Sequence, residues 1–382
     1  MNSLNTPPLQ QLSDAGVAVW LDDLSRQLIE SGELARLIEE RNVVGATSNP
    51  TIFAKALSDA GPYDDSFAQL ASEGVSVEDA ATKLMTDDVR SACDVFAPVF
   101  AQTGGLDGRV SIEVSPEIAH DTDATTAEVR ELWQIIDREN LFIKIPATRE
   151  GLAAISAATA EGISVNVTLI FSLDRYRAVM NAYLTGLEQA AEAGLDLSKI
   201  RSVASFFISR IDTEIDGQLE QISSDTARAV VGKAAIANGH LAYEAYTEVF
   251  ATPRWQKLAD LGANVQRPLW ASTGVKNPEY RDVRYVEELV VNNCVNTMPD
   301  ATLEAFADHG EVRGDTVTGQ ARAAEEVLDT VERLGISYVK VTEQLEKEGV
   351  SKFEASWSEL LASVSDGLAR FAGTDSHEEA GQ

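Results

Sequence analysis

Short apolar runs rich in β-branched and aromatic residues recur along the chain, and longer stretches with helical spacing separate them. Candidate strands fall at 17–22 (VAVWLD), 43–47 (VVGAT), 110–114 (VSIEV), 142–146 (FIKIP), 164–170 (SVNVTLI), 202–208 (SVASFFI), 267–272 (RPLWAS) and 294–298 (CVNTM). Eight strands alternating with helices is the number that closes a parallel (β/α)8 TIM barrel, an α/β fold. An open doubly wound sheet is the competing architecture. It is disfavoured because no GxGxxG or GxxxxGK[ST] loop follows any strand.

The stretch 51–109 is too long for one crossover helix. Its apolar spacing (Phe53, Leu57; Phe67, Leu70; Leu84, Val89, Cys93, Phe96) predicts several helices, an insertion on a single barrel domain spanning 1–382. From about residue 317 no strand signal remains. Leu328, Val331 and Leu334, then Phe353, Trp357, Leu360, Leu361 and Val364, predict C-terminal helices over 317–371 packed back on the barrel. Residues 1–10, with Pro7-Pro8, and the polar final segment 373–382 are expected to fray.

Composition narrows the function classes. With 382 residues, 44% hydrophobic and 24% charged, the chain has globular composition. Its 31 basic and 61 acidic side chains give a formal charge of −30, which argues against partners such as nucleic acid or an anionic membrane. A phosphorylated substrate remains open, because a few local cations override a distant net charge. The acids fall largely on helical faces (Glu39-Glu40, Glu287-Glu288, Glu325-Glu326), where solvation is expected. No apolar run approaches the roughly 18 residues of a membrane span, and the N-terminus lacks a secretory pattern. Cys93 and Cys294 are expected to be buried small hydrophobes in a reducing cytoplasm. The four histidines (His120, His240, His309, His377) are scattered, so no metal is expected.

In a (β/α)8 barrel the chemistry lies at the C-terminal strand ends. Lys144 stands out there, flanked by apolar residues in Leu141-Phe142-Ile143-Lys144-Ile145-Pro146. Burial disfavours a charged ammonium, and a neutral amine attacks carbonyl carbons. The alternative is a structural ion between helices or one paired with a carboxylate. Asp22 and Glu113 supply the carboxylates an iminium mechanism needs. Each also has a plain reading: Asp22 as a helix N-cap, Glu113 as a salt-bridge partner of Lys144. Asn49, Asn166 and Thr168 place amides and a hydroxyl at strand ends, Asn49 equally as a turn residue before Pro50. Arg210, Ser272 and Lys276 are donors late in the barrel, where this fold commonly binds phosphate. The two cations alternatively sit solvated on a surface loop.

At these residues the sequence resembles the transaldolases of the longer single-chain bacterial type, from about Val17 to the C-terminal helices. The resemblance is carried by GATSNPTIF (45–53), VSIEVSPEIAHDTDAT (110–125), FIKIPAT (142–148), ISVNVTLIFS (163–172) and FFISRIDTEID (206–216). It implies Lys144 as the Schiff-base lysine and Asp22 as the general acid/base. Glu113 is implied to relay protons with a water held by Thr168. Asn49 and Asn166 are implied to hold the dihydroxyacetone hydroxyls, Ser205 and Phe207 to line the pocket, and Arg210 and Ser272 to bind phosphate. One branch of the family has an arginine two residues after the matching serine. This chain has Ser272-Thr273-Gly274-Val275-Lys276, which makes Lys276 the candidate replacement. The implied reaction moves a dihydroxyacetone unit between sugar phosphates in the pentose phosphate pathway, without cofactor or metal. Two rivals follow: a Schiff-base aldolase that releases dihydroxyacetone, and a catalytically silent barrel that binds a sugar phosphate.

Overall fold

In the computed structural model, which describes residues 6–59 and 61–372, eight parallel strands close into a barrel in sequence order. They are β1 (Val17–Leu21), β2 (Val43–Thr47), β3 (Arg109–Glu113), β4 (Leu141–Pro146), β5 (Val165–Ile170), β6 (Ser202–Phe207), β7 (Gln266–Ala271) and β8 (Cys294–Met298). Their ends agree with the sequence expectation to within one residue. Closure comes from β1 pairing with β8.

The barrel is filled, not hollow. Side chains two apart on a strand share a face, so Trp20 lies below Asp22 and Phe142 below Lys144. The Trp20 and Phe142 rings stack across the interior with centroids 6.1 Å apart. Gly45 is paired in register with Trp20, and a Cβ there would stand 2.5 Å from Trp20 Cε2. Gly45→Ala should therefore overpack the interior and cost about 1–3 kcal/mol. A urea midpoint equal to that of the parent would refute this.

Three helices fill the stretch between β2 and β3: Pro50–Ser58, Asp64–Glu73 and Val77–Gln102. The last packs on β3 as the crossover, and all three pack against the C-terminal helix Tyr338–Phe371. Gly367 of that helix allows the close fit, since a Cβ would lie 2.5 Å from Phe67 Cε1. The C-terminal segment holds Ala321–Arg333 and this single 34-residue helix.

Two expectations need correction. Residues 8–10 do not fray: Pro8–Asp14 is a helix with Pro8 in its first turn, where a missing N–H costs nothing, and Leu9 and Leu12 are buried. Residues 1–5 and the final segment 373–382, with His377, lie outside the described residues. Glu287 is buried rather than solvated, and Arg281 pairs with it at 2.9 Å. Glu39, Glu40, Glu325 and Glu326 are exposed as expected. Cys93 and Cys294 are buried and unpaired, and burial pushes both thiols up to about 12. Among the described residues no helix is long and apolar enough to cross a membrane.

Candidate active site

A cleft of about 240 Å³ opens at the C-terminal ends of the strands. Of the eleven residues singled out in the sequence, nine line it: Asp22, Asn49, Lys144, Thr168, Ser205, Phe207, Arg210, Ser272 and Lys276. The other two, Glu113 and Asn166, stand behind its wall.

Lys144 is 4% exposed. Its register partners are Glu113 on β3 and Asn166 on β5. Nζ lies 3.2 Å from Glu113 Oε2 and donates to the Ser48 carbonyl at 3.2 Å. The Phe353 ring centroid lies 5.8 Å from Nζ. The salt-bridge reading of Glu113 is thus realised, and it brings the two side chains together. Burial raises the Glu113 carboxyl to about 7, against the opposing pull of Lys144. Glu113 Oε1 and the Thr168 hydroxyl are buried without a hydrogen-bond partner among the described residues.

Asp22 follows β1 directly and is not a helix cap. Ser25 takes that role, its side chain accepting from Leu28 N at the start of helix Arg26–Glu30. The Asp22 carboxylate instead accepts from Thr47 Oγ1 at 2.7 Å, and Thr297 Oγ1 lies 2.7 Å from the same hydroxyl. Burial raises the Asp22 carboxyl; Lys144 and the Thr47 hydroxyl pull it down. Such an environment suits a group that takes and returns a proton.

The amides divide. Asn49 caps helix Pro50–Ser58, accepting from Ile52 N at 3.1 Å, and still contributes to the cleft wall. Asn166 is fully buried: its Nδ2 donates to Ser111 Oγ at 3.0 Å and its Oδ1 accepts from Ser205 Oγ at 2.7 Å. It reaches the cleft through Ser205.

Cations gather on the opposite wall. Arg210 sits in the first turn of helix Ser209–Leu219 and lies over the Phe207 ring, 5.1 Å from its centroid. Burial lowers its pKa, with Glu348 the principal opposing charge. Ser272 follows β7 with φ +55, and its hydroxyl lies 3.0 Å from that of Ser209. Exposed Lys276 borders the cleft from the loop beyond.

The wall also holds residues that the sequence reading did not place at the site, among them Thr47, Thr297, Lys352 and Phe353. Thr47 and Thr297 occupy the last turn of inward positions on β2 and β8, and period two could have found them. Lys352 and Phe353 come from helix Tyr338–Phe371; the apolar spacing marks Phe353 only as a helix-packing residue, and nothing local marks Lys352. That helix approaches the mouth at Gly349, where a Cβ would stand 2.9 Å from Leu169 Cδ2 and 3.6 Å from Arg210 Nη1. Leu169 itself holds φ +59 at a bulge in β5, an unusual state for a bulky residue at a functional rim. The Lys352 ammonium pKa is lowered by burial and then by neighbouring Arg210 and Lys276. Among the described residues none of these three cations is ion-paired.

A closed parallel barrel with an ionisable cleft at its C-terminal strand ends defines a (β/α)8-barrel enzyme. Residues 19–364 match the family model described as Transaldolase/Fructose-6-phosphate aldolase. The chain belongs to the transaldolase/fructose-6-phosphate aldolase family. It is 62% identical to a transaldolase of Thermobifida fusca over 95% of this chain and 98% of that one. It is 58% identical to transaldolase 2 of Streptomyces coelicolor (96% and 99% covered) and 59% identical to a transaldolase of Mycolicibacterium smegmatis (93% and 96%).

Proposed function

We infer that the chain is a transaldolase of carbohydrate metabolism, moving a dihydroxyacetone unit from a ketose phosphate to an aldose phosphate through a Schiff base on Lys144. The observation that carries the site assignment is that buried Lys144 shares one cleft with Asp22 while Glu113, behind the wall, contacts its ammonium at 3.2 Å. The family-level substrates are sedoheptulose 7-phosphate or fructose 6-phosphate as donor, and glyceraldehyde 3-phosphate or erythrose 4-phosphate as acceptor. Buried, unpaired Cys93 and Cys294 fit work in a reducing cytoplasm.

Lys144, having passed a proton to Glu113, attacks the donor's C2 carbonyl to give a carbinolamine. Glu113 returns the proton to the departing hydroxyl through a water at Thr168, and the iminium forms. Asp22 removes the C4 hydroxyl proton, the C3–C4 bond breaks, and its electron pair flows into the iminium. The aldose phosphate leaves, and the enamine on Lys144 adds to the second aldehyde by the same steps reversed. Neutral groups of Asn49 and Ser205 hold the hydroxyls, with Asn166 setting Ser205 in place. Arg210, Ser272, Lys276 and Lys352 receive the phosphate.

Trapping tests the mechanism. Borohydride with fructose 6-phosphate should leave a three-carbon adduct on Lys144 by peptide mass spectrometry, and an unmodified lysine in protein that still binds donor would favour a silent barrel. The family description also names an aldolase activity. Rapid stoichiometric release of dihydroxyacetone from fructose 6-phosphate without an acceptor would favour that lyase reading over transfer.

Two further outcomes follow from the electrostatics. With its carboxyl near 7, Glu113 is ionised above that pH and able to accept the Lys144 proton; below, it is protonated and cannot. The value of kcat/KM should therefore fall as pH drops through about 7. Glu113→Gln should lower kcat roughly 10²–10³-fold and remove that limb; an unchanged profile in the variant would exclude Glu113 as its source. Lys352→Ala should raise KM for the phosphorylated donor on the order of tenfold with kcat little changed. Equal KM values would remove Lys352 from the phosphate site.

A further inference from the structure

A second cavity, of about 370 Å³, lies at the opposite end of the barrel, against the N-terminal ends of β3 to β6. Its wall includes Arg109, Arg201, Lys199, Trp133, Ser198 and Glu139. Arg109 opens β3, so four residues of strand, about 13 Å, separate it from Glu113.

The two arginines are held by backbone carbonyls and not by ion pairs among the described residues. Arg109, 2% exposed, donates to the Gly105 carbonyl through Nε at 3.0 Å and Nη2 at 2.7 Å, and to the Glu139 carbonyl at 3.2 Å. Arg201 donates to the Gly104 carbonyl at 3.2 Å. Gly104 and Gly105 take φ +59 and +78, a left-handed pair whose successive carbonyls receive the two arginines. The rings of Phe100 and Phe142, with centroids 5.0 and 4.8 Å from Arg109 Cζ, fix that guanidinium. Among the described residues Arg109, Arg201 and Lys199 form no ion pair, although the chain carries 61 acidic side chains. The nearby Asp107 is committed to Arg267 at 2.6 Å. Burial, then repulsion from Arg201 and Arg267, lowers Arg109 to about 9. A bound anion would relieve that repulsion.

We propose that this cavity binds a small phosphomonoester with a planar body, its phosphate on Arg109, Arg201 and Lys199 and its ring on Trp133. The remaining Arg201 donors and the Lys199 ammonium match phosphate oxygens, and Arg109 adds its charge from behind with its own fork held by Gly105. Three cations against Glu139, the one acidic wall residue among those described, favour a dianion. Trp133 is half-buried on the wall and stacks on no other ring among the described residues. The volume falls in the range of small-ligand sites and suits a mononucleotide.

Calorimetry on the full chain tests this with adenosine 5′-monophosphate, inorganic phosphate and adenosine as probes. The monophosphate should bind saturably at one site, and adenosine far more weakly. Arg201→Gln and Lys199→Met, both at accessible positions, should each weaken it by roughly tenfold or more while melting like the parent. Trp133→Leu should weaken the monophosphate but not inorganic phosphate. Arg210→Ala, in the other cleft, should leave the monophosphate unaffected. The proposal is overturned if the parent shows no binding at millimolar probe or binds adenosine equally well. It is also overturned if binding survives Arg201→Gln but is lost in Arg210→Ala.

Discussion

Lys144→Met is expected to reduce turnover of fructose 6-phosphate with erythrose 4-phosphate or glyceraldehyde 3-phosphate on the order of 10⁵-fold or more, while leaving the fold intact. The reaction as proposed has no covalent route without the amine, so the loss is that of a nucleophile and not of a contributor. The fold should persist for a steric reason. Lys144 is 4% exposed between Ile143 and Ile145, and an unbranched apolar chain of similar length fits the same slot. Removing the ammonium leaves Glu113 without its partner, yet that carboxyl already sits near 7 through burial and can stay protonated. Parent-like rates in a folded Met variant would eliminate the Schiff-base role. Loss of the borohydride adduct in the same variant separates a missing nucleophile from a missing donor site.

Asp22→Asn should cost about 10²–10⁴ in kcat, the range of a positioned general base. The amide keeps the shape and can still accept from Thr47 Oγ1, which stands at 2.7 Å, so the cleft geometry survives. What disappears is the proposed ability of Asp22 to take the C4 hydroxyl proton as the C3–C4 bond breaks. Iminium formation, which the proposed mechanism assigns to Glu113, should continue. The variant should thus still trap donor on Lys144 under borohydride, as an unbroken adduct carrying the donor's full carbon chain. A three-carbon adduct at the parent's rate would show that another group does Asp22's work.

These two residues were legible because their signal is local. A lysine inside LFIKIP and an aspartate closing VAVWL are polar groups in runs whose burial the flanking residues dictate. The strands themselves emerged to within a residue for the same reason, and their order in the barrel followed from number and alternation. Which alternative each polar residue took was not legible. Asp22 left the capping role to Ser25. Asn49 kept its cap and also borders the cleft. Asn166 turned both ends of its amide to Ser111 and Ser205, because positions on β3, β5 and β6 meet there inside the closed barrel. The N-terminal helix was missed because its Pro7-Pro8 start reads as a loop, while the burial of Leu9 and Leu12 depends on contacts outside that segment.

The sequence by itself determined the barrel, the family and the polar residues at the strand ends, since short apolar runs and motif spacing are properties of neighbouring residues. Only the tertiary structure decided what closes the mouth and what lies beneath it. Lys352 and Phe353 enter the cleft because Gly349 and Gly367 let one long helix press on Leu169 and Phe67, residues far away along the chain. Arg109, Arg201 and Lys199 become one cationic cavity only when the starts of successive strands are brought side by side. Distance in sequence hides both, because charge and close packing act through space.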